Sequence, residues 1–98
     1  MGALSLDAAS GRARLGAQEV LLTGAEQRIL EILMRAPGQV VARDQISLYA
    51  LGRSADRYDR SIDTHISSLR KKLQLDQAGD APAIRNLRGL GYVLAGTA

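Results

Sequence analysis

Between Asp59 and Leu73 the chain carries a pattern that suits one local structure well and others poorly. On a helix turning about 100° per residue, Ile62, Ile66, Leu69 and Leu73 fall in one narrow apolar stripe. Arg60, Thr64, Ser67 and Lys71 repeat that spacing on the opposite side, with Ser68 at its edge. One face must therefore be buried against other elements, and the other offers short polar groups bracketed by cations. An ordinary amphipathic helix with a solvated basic face has this pattern. So does a helix whose outer face is used. Taken alone, the helix leans to the plainer reading, and the rest of the chain has to decide.

Ninety-eight residues suffice for one small domain that buries roughly two-thirds of its unfolded surface. Phenylalanine and tryptophan are absent and only Tyr49, Tyr58 and Tyr92 are aromatic, so the core has to be aliphatic. With no cysteine, disulfides and thiolate metal sites are excluded, and a reducing cytoplasm is the natural compartment. No apolar run approaches the roughly 20 residues that span a bilayer. The net charge of +3 is placed unevenly: basic and acidic groups cancel over residues 1–52, and the whole excess lies in residues 53–98. A basic half points toward a polyanionic partner.

Short strands are expected over residues 1–22. Leu4-Ser5-Leu6 and Arg12-Ala13-Arg14-Leu15 alternate around a turn at Asp7–Gly11, and Gly16-Ala17 leads into Glu19–Leu22. Thr23-Gly24-Ala25-Glu26 is a capping box that opens a helix burying Ile29, Leu30, Leu33 and Met34 and ending before Pro37-Gly38. A second helix is expected over Arg43–Leu51, with Ile46, Ala50 and Leu51 inside. Its N-cap position falls on Ala42, which has no side-chain oxygen, so a weakly held first turn is expected. Asp59 is the expected cap of the third helix. Ala83–Leu87 and Tyr92–Leu94 flank Arg88-Gly89-Leu90-Gly91 as a hairpin with two glycines at its tip, where they serve the turn geometry and are not expected to touch a partner. The order gives an α+β winged helix-turn-helix: an N-terminal antiparallel sheet (1–22), a three-helix core (23–75) and a C-terminal hairpin wing (83–95), in one domain over 1–98.

In that setting the outer face of residues 60–73 suits a helix lying in a DNA major groove. Long basic arms reach phosphates or guanine edges, and short hydroxyls let the backbone approach. The chain also resembles the OmpR/PhoB family of bacterial response-regulator output domains from about Leu4 to Val93. The resemblance rests on four motifs in order: Leu22-Thr23-x-x-Glu26, Val40-Val41-x-Arg43-x-x-Ile46, Asp59-Arg60-x-Ile62-Asp63-x-His65-Ile66-x-x-Leu69-Arg70-Lys71-Lys72-Leu73, and Ile84-x-x-Leu87-Arg88-Gly89-x-Gly91-Tyr92. Within the family, Gly38–Val41 and Tyr58–Ser67 look closest to Cpx-type envelope-stress regulators. The resemblance implies cytoplasmic, sequence-specific binding of double-stranded DNA in a two-component system, without a cofactor. It also implies an N-terminal receiver domain, absent from these residues, that a sensor kinase phosphorylates. Ala42 and the serines at 67 and 68 depart from the family's usual Ser/Thr and Arg, so base preference does not transfer.

Candidate contacts follow. Arg60 opens the third helix as a DNA contact or as a cation paired with Asp56 or Asp63. Thr64, Ser67 and Ser68 are base-edge readers or solvent-facing filler. Lys71, on the groove face, and Arg70, at its side, are phosphate contacts, and Arg43 is either a phosphate contact or a free surface arginine. Asp63 is expected to orient a neighbouring arginine, and His65 to meet a phosphate or pack. Tyr92 offers a phosphate-directed hydroxyl or a core ring. Arg88 resembles the wing arginine that enters a narrow minor groove. In the family the loop after the second helix meets RNA polymerase, which assigns Arg53, Asp56, Arg57 and Tyr58 to that role. Direct-repeat sites with head-to-tail pairs of otherwise monomeric domains are implied as well. The alternative is a winged helix used for protein contact with weak or no DNA binding. An enzyme is not expected: a lone histidine makes neither a triad nor a metal site, and no phosphate-cradling loop is present.

Overall fold

A computed structural model describes residues 4–7, 9–16, 18–52, 61–73 and 83–95. Strands β1 (Leu4–Asp7), β2 (Arg12–Leu15) and β3 (Gln18–Leu21) form an antiparallel meander in that spatial order. Alternation sorts their side chains. Leu4 and Ala13 are buried with Leu6, Leu15 and Val20 packed beside them, while Arg12 and Arg14 reach across the outer face to Glu19 at 3.1 and 2.8 Å. β3 lies one residue earlier than the sequence suggested, and Leu22, now beyond it, drops into the core.

Helix α1 (Gly24–Met34) starts on the expected box. Thr23 Oγ1 accepts from the Glu26 amide at 3.2 Å, and Glu26 Oε1 accepts from the Thr23 amide at 2.9 Å. Its Ile29, Leu30 and Leu33 are fully buried, and Met34 is half-buried. Helix α2 (Arg43–Leu51) follows a short extended run. Ala42 supplies no cap, but Gln45 Oε1 accepts from the Ala42 amide at 3.2 Å, so the reverse half of the box is made. Ile46 and Ala50 are buried and Leu51 is half-buried, as the spacing predicts; fully buried Ser47 joins them unannounced by the pattern.

Helix α3 (Ser61–Leu73) lays Ile62, Ile66, Leu69 and Leu73 into the core between α1 and the meander, each at most 1% exposed. The expected start at Arg60 and the cap at Asp59 lie outside the described residues. Strands β4 (Ala83–Leu87) and β5 (Gly91–Ala95) pair antiparallel, with Asn86 opposite Tyr92 and Leu87 opposite Gly91. Gly89 sits in the turn at φ 79° as expected. Gly91 does not: it opens β5.

One buried charge ties α1 to α3. Glu26 is 2% exposed, and its Oε1 meets Lys72 Nζ at 2.7 Å. Lys72 also reaches the Leu21 carbonyl at 3.4 Å, and Gln18 Nε2 donates to the Lys72 carbonyl at 2.8 Å, so the α3 C-terminus is fastened to the meander too. Burial pushes the Glu26 carboxyl upward, but bonds from Lys72, the Ser68 hydroxyl and the Thr23 amide outweigh it and hold the group at about 2. A carboxyl depressed by folding contributes stability that is complete above its unfolded value, near 4.5, and fades as pH falls through about 2. Glu26→Gln should therefore cost about 2–3 kcal/mol at neutral pH and flatten the loss of stability between pH 4.5 and 2. Urea unfolding across that range checks both; an unchanged acid limb in the variant would refute the assignment.

Candidate nucleic-acid interface

With its apolar stripe buried, α3 can present only its other side. Thr64, Ser67 and Lys71 are exposed there, spaced about one turn apart, and together with Asp63 and half-buried Ser68 they line a shallow depression. Ser68 turns partly inward, where its hydroxyl donates to Glu26. His65 is half-buried beside the stripe. Beside α3 stands the wing, whose turn carries exposed Arg88; Arg85, which no motif singled out, is exposed on β4. Lys71, Arg85 and Arg88 have no acidic partner among the described residues. Arg60, Arg53, Asp56, Arg57 and Tyr58 lie outside the described residues.

The remaining candidates converge on Tyr92. Its ring is buried at 3% exposure, and its hydroxyl donates to Asp63 Oδ1 on α3. Asp63 in turn accepts from Arg43 Nη1 at 3.0 Å through both oxygens, so the arginine that starts α2 is gripped by a residue of α3. Both partners of that pair keep 37% of their side-chain surface exposed. Seven residues along α3 from Asp63, and so on the same side of the helix, Arg70 lies over the Tyr92 ring with Cζ 5.9 Å from its centroid, and its Nε donates to the Ile84 carbonyl of β4 at 3.0 Å. Arg70 thus braces the wing against α3, and Tyr92 serves as both core ring and polar link. Burial first, and then the bond to the Asp63 carboxylate, pushes the Tyr92 phenol up to about 12, so it remains a donor at any physiological pH.

The backbone of the same residue closes the arrangement. Val41 and Tyr92 exchange amide–carbonyl bonds of 2.8 and 3.0 Å, and the Gly38 amide donates to the Leu94 carbonyl at 2.9 Å. The segment before α2 therefore runs along β5 as a partial third strand. Gly91 permits this contact: at φ 146° a β-carbon would stand 2.8 Å from Val41 C and 2.9 Å from Ala42 Cα. Expected in the turn, Gly91 instead opens β5, at a point where the Val41–Ala42 backbone comes to where a side chain would otherwise be.

Comparison with known proteins places the chain. Residues 17–94 match the family described as "Transcriptional regulatory protein, C terminal". The transcriptional regulatory protein CpxR of Klebsiella pneumoniae is 41% identical over 94% of this chain, and that of Escherichia coli K12 is 40% identical over the same share. The chain spans 39% of the length of each. The DNA-binding domain of Escherichia coli CpxR superposes with a TM-score of 0.84 at 38% identity, covering 98% of this chain and 93% of that one. The Klebsiella pneumoniae RstA DNA-binding domain, solved in complex with the RstA box, gives 0.80 at 37% identity, covering 96% and 92%.

Gly91→Ala should cost more than about 3 kcal/mol, since the backbone on which the new methyl would fall cannot withdraw without breaking the Val41–Tyr92 bridge. Gly89→Ala, strained at φ 79° but with open space around it, should cost about 1–2 kcal/mol. Thermal unfolding of the two variants checks the order. Equal losses would show that Gly91 is only a turn residue.

Proposed function

The chain belongs to the OmpR/PhoB family of transcriptional-regulator C-terminal domains, and from that premise we infer that it binds double-stranded DNA sequence-specifically and thereby controls transcription. The observation that carries this reading is the division of α3. Its apolar stripe is sealed in the core, and its outer side is an exposed row of Thr64, Ser67 and Lys71. That row is narrow and short-chained enough to enter a major groove, with Lys71 reaching a phosphate and the hydroxyls reaching base edges. Arg88, on the wing turn, enters the adjoining minor groove, where a narrow A·T-rich tract concentrates negative potential. Arg43, at the N-terminus of α2, meets backbone phosphate, which the helix dipole also favours.

The domain acts as the output half of a cytoplasmic two-component response regulator whose receiver, phosphorylated on aspartate, controls access to DNA. Copies bind direct repeats head to tail about one helical turn apart, which puts both reader helices on one side of the duplex. Exposed Leu90 on the wing turn and exposed Leu21 on β3 give the two ends of such a pair an apolar residue each. Arg53, Asp56, Arg57 and Tyr58, which follow α2 in the sequence, contact RNA polymerase.

Binding should weaken steeply with salt. With Arg43, Arg60 and Lys71 on phosphates and the charge of Arg88 in the minor groove, log K against log salt should slope at about −3 to −4. Lys71→Ala should weaken all duplexes alike and reduce the slope by about one, whereas Ser67→Ala should alter discrimination among sites by about 1–3 kcal/mol. Fluorescence anisotropy on specific and random duplexes checks both. A slope near zero would overturn DNA binding and leave the winged helix as a protein-contact module.

A further inference from the structure

Helix α3 holds one carboxylate, Asp63, next to the exposed Thr64. A bare negative charge there would repel phosphate. It is not bare: Arg43 from the start of α2 and Tyr92 from β5 both donate to it, so groups from three separate segments of the chain meet on one side chain. We propose that Asp63 is a positioning residue for DNA binding, acting through Arg43 and Tyr92 to hold the α2 start and the wing strand at a fixed offset from the reader helix.

Stability alone does not account for this arrangement. The Asp63–Arg43 pair keeps more than a third of each side chain exposed, and pairs of that kind contribute little to folding. Such a pair can, however, fix where a long side chain points. Asp63 holds the Arg43 guanidinium at Nη1 through both of its oxygens. A guanidinium so held loses less rotamer freedom when it meets a phosphate than one free to swing. The Tyr92 hydroxyl adds the link to the wing. Its ring is fixed by burial and by Arg70, and its backbone by Val41, so it cannot follow Asp63 without moving β5.

The two roles open to a carboxylate here predict opposite signs. If Asp63 only adds negative charge, neutralising it strengthens binding. If it positions Arg43 and the wing, neutralising it weakens binding. The proposal rests on the DNA-binding reading above, and the experiment separates the two. The chain, Asp63→Asn, Arg43→Ala and the double variant are titrated across a salt series onto a fluorescein-labelled mixed-sequence duplex of about three helical turns. Each single variant is expected to bind about 5- to 10-fold more weakly and to lose about one from the salt slope, and the double variant to bind no more weakly than Arg43→Ala. Tyr92→Phe, which keeps the buried ring, is expected to weaken binding about 2- to 3-fold, and it tests the link even if Asp63→Asn does not fold. The phenol of Tyr92, followed by ultraviolet titration, should ionise at lower pH in Asp63→Asn than in the parent chain. A parent chain that ignores the duplex would remove the DNA-binding reading itself. A parent that binds while Asp63→Asn binds equally or more tightly, additive losses in the double variant, or an unaltered Tyr92→Phe would overturn the positioning role alone.

Discussion

Tyr92 joins the wing to α3 and to the segment before α2 through its side chain and its backbone together. A winged helix needs its hairpin beside its reader helix at a set angle, yet β4 and β5 are two short strands, and an isolated hairpin is marginal in water. Here the hairpin gains a partial third strand from the segment before α2 through the Val41–Tyr92 bridge. It gains a side-chain anchor because the Tyr92 ring is buried under Arg70 while its hydroxyl donates to Asp63. Gly91 makes the approach possible by having nothing where a β-carbon would meet Val41.

At the other end of α3 a second anchor works by different physics. Glu26 combines two tasks that would conflict in isolation, capping α1 and carrying a charge into the interior. Lys72, the Ser68 hydroxyl and the Thr23 amide together satisfy the buried carboxylate, so the charge is kept. Helix α3 is thus pinned near its first turn by Asp63 and in its last by Arg70 and Lys72, with an all-aliphatic stripe buried along its length. Such pinning fixes the direction in which the outer residues of α3 point.

Periodicity made the helices and the stripe legible in the sequence. Ile62, Ile66, Leu69 and Leu73 could face nothing but a core, which left Thr64, Ser67 and Lys71 outside, and Thr23-x-x-Glu26 marked the start of α1. What escaped the sequence was contact between distant residues. No spacing rule links Glu26 to Lys72 or Arg43 to Asp63, 46 and 20 residues apart. Gly91 looked like one of two tip glycines because a close approach to Val41 exists only once the hairpin has docked. Ser68 looked like a groove residue because its position on the helical wheel is at an edge; only the structure places its hydroxyl on Glu26. Ser47, polar in sequence and fully buried in the fold, belongs to the same class of omission.

Family membership and geometry bear on separate questions. The match over residues 17–94 fixes what kind of domain this is, and the side-chain network describes how this copy of it sets its reader helix against its wing. The most direct test of the joint claim is amide chemical-shift mapping of the chain during titration with duplex DNA. One contiguous set of perturbed amides is expected, covering the outer side of α3 around Thr64–Lys71, the wing turn at Arg88–Leu90 and the start of α2 at Arg43. A separate groove between α1 and α2, lined by Ile32, Ala36, Val40 and Leu48, should remain unperturbed. Perturbations centred on that groove, or confined to α3 with the wing unaffected, would contradict the account.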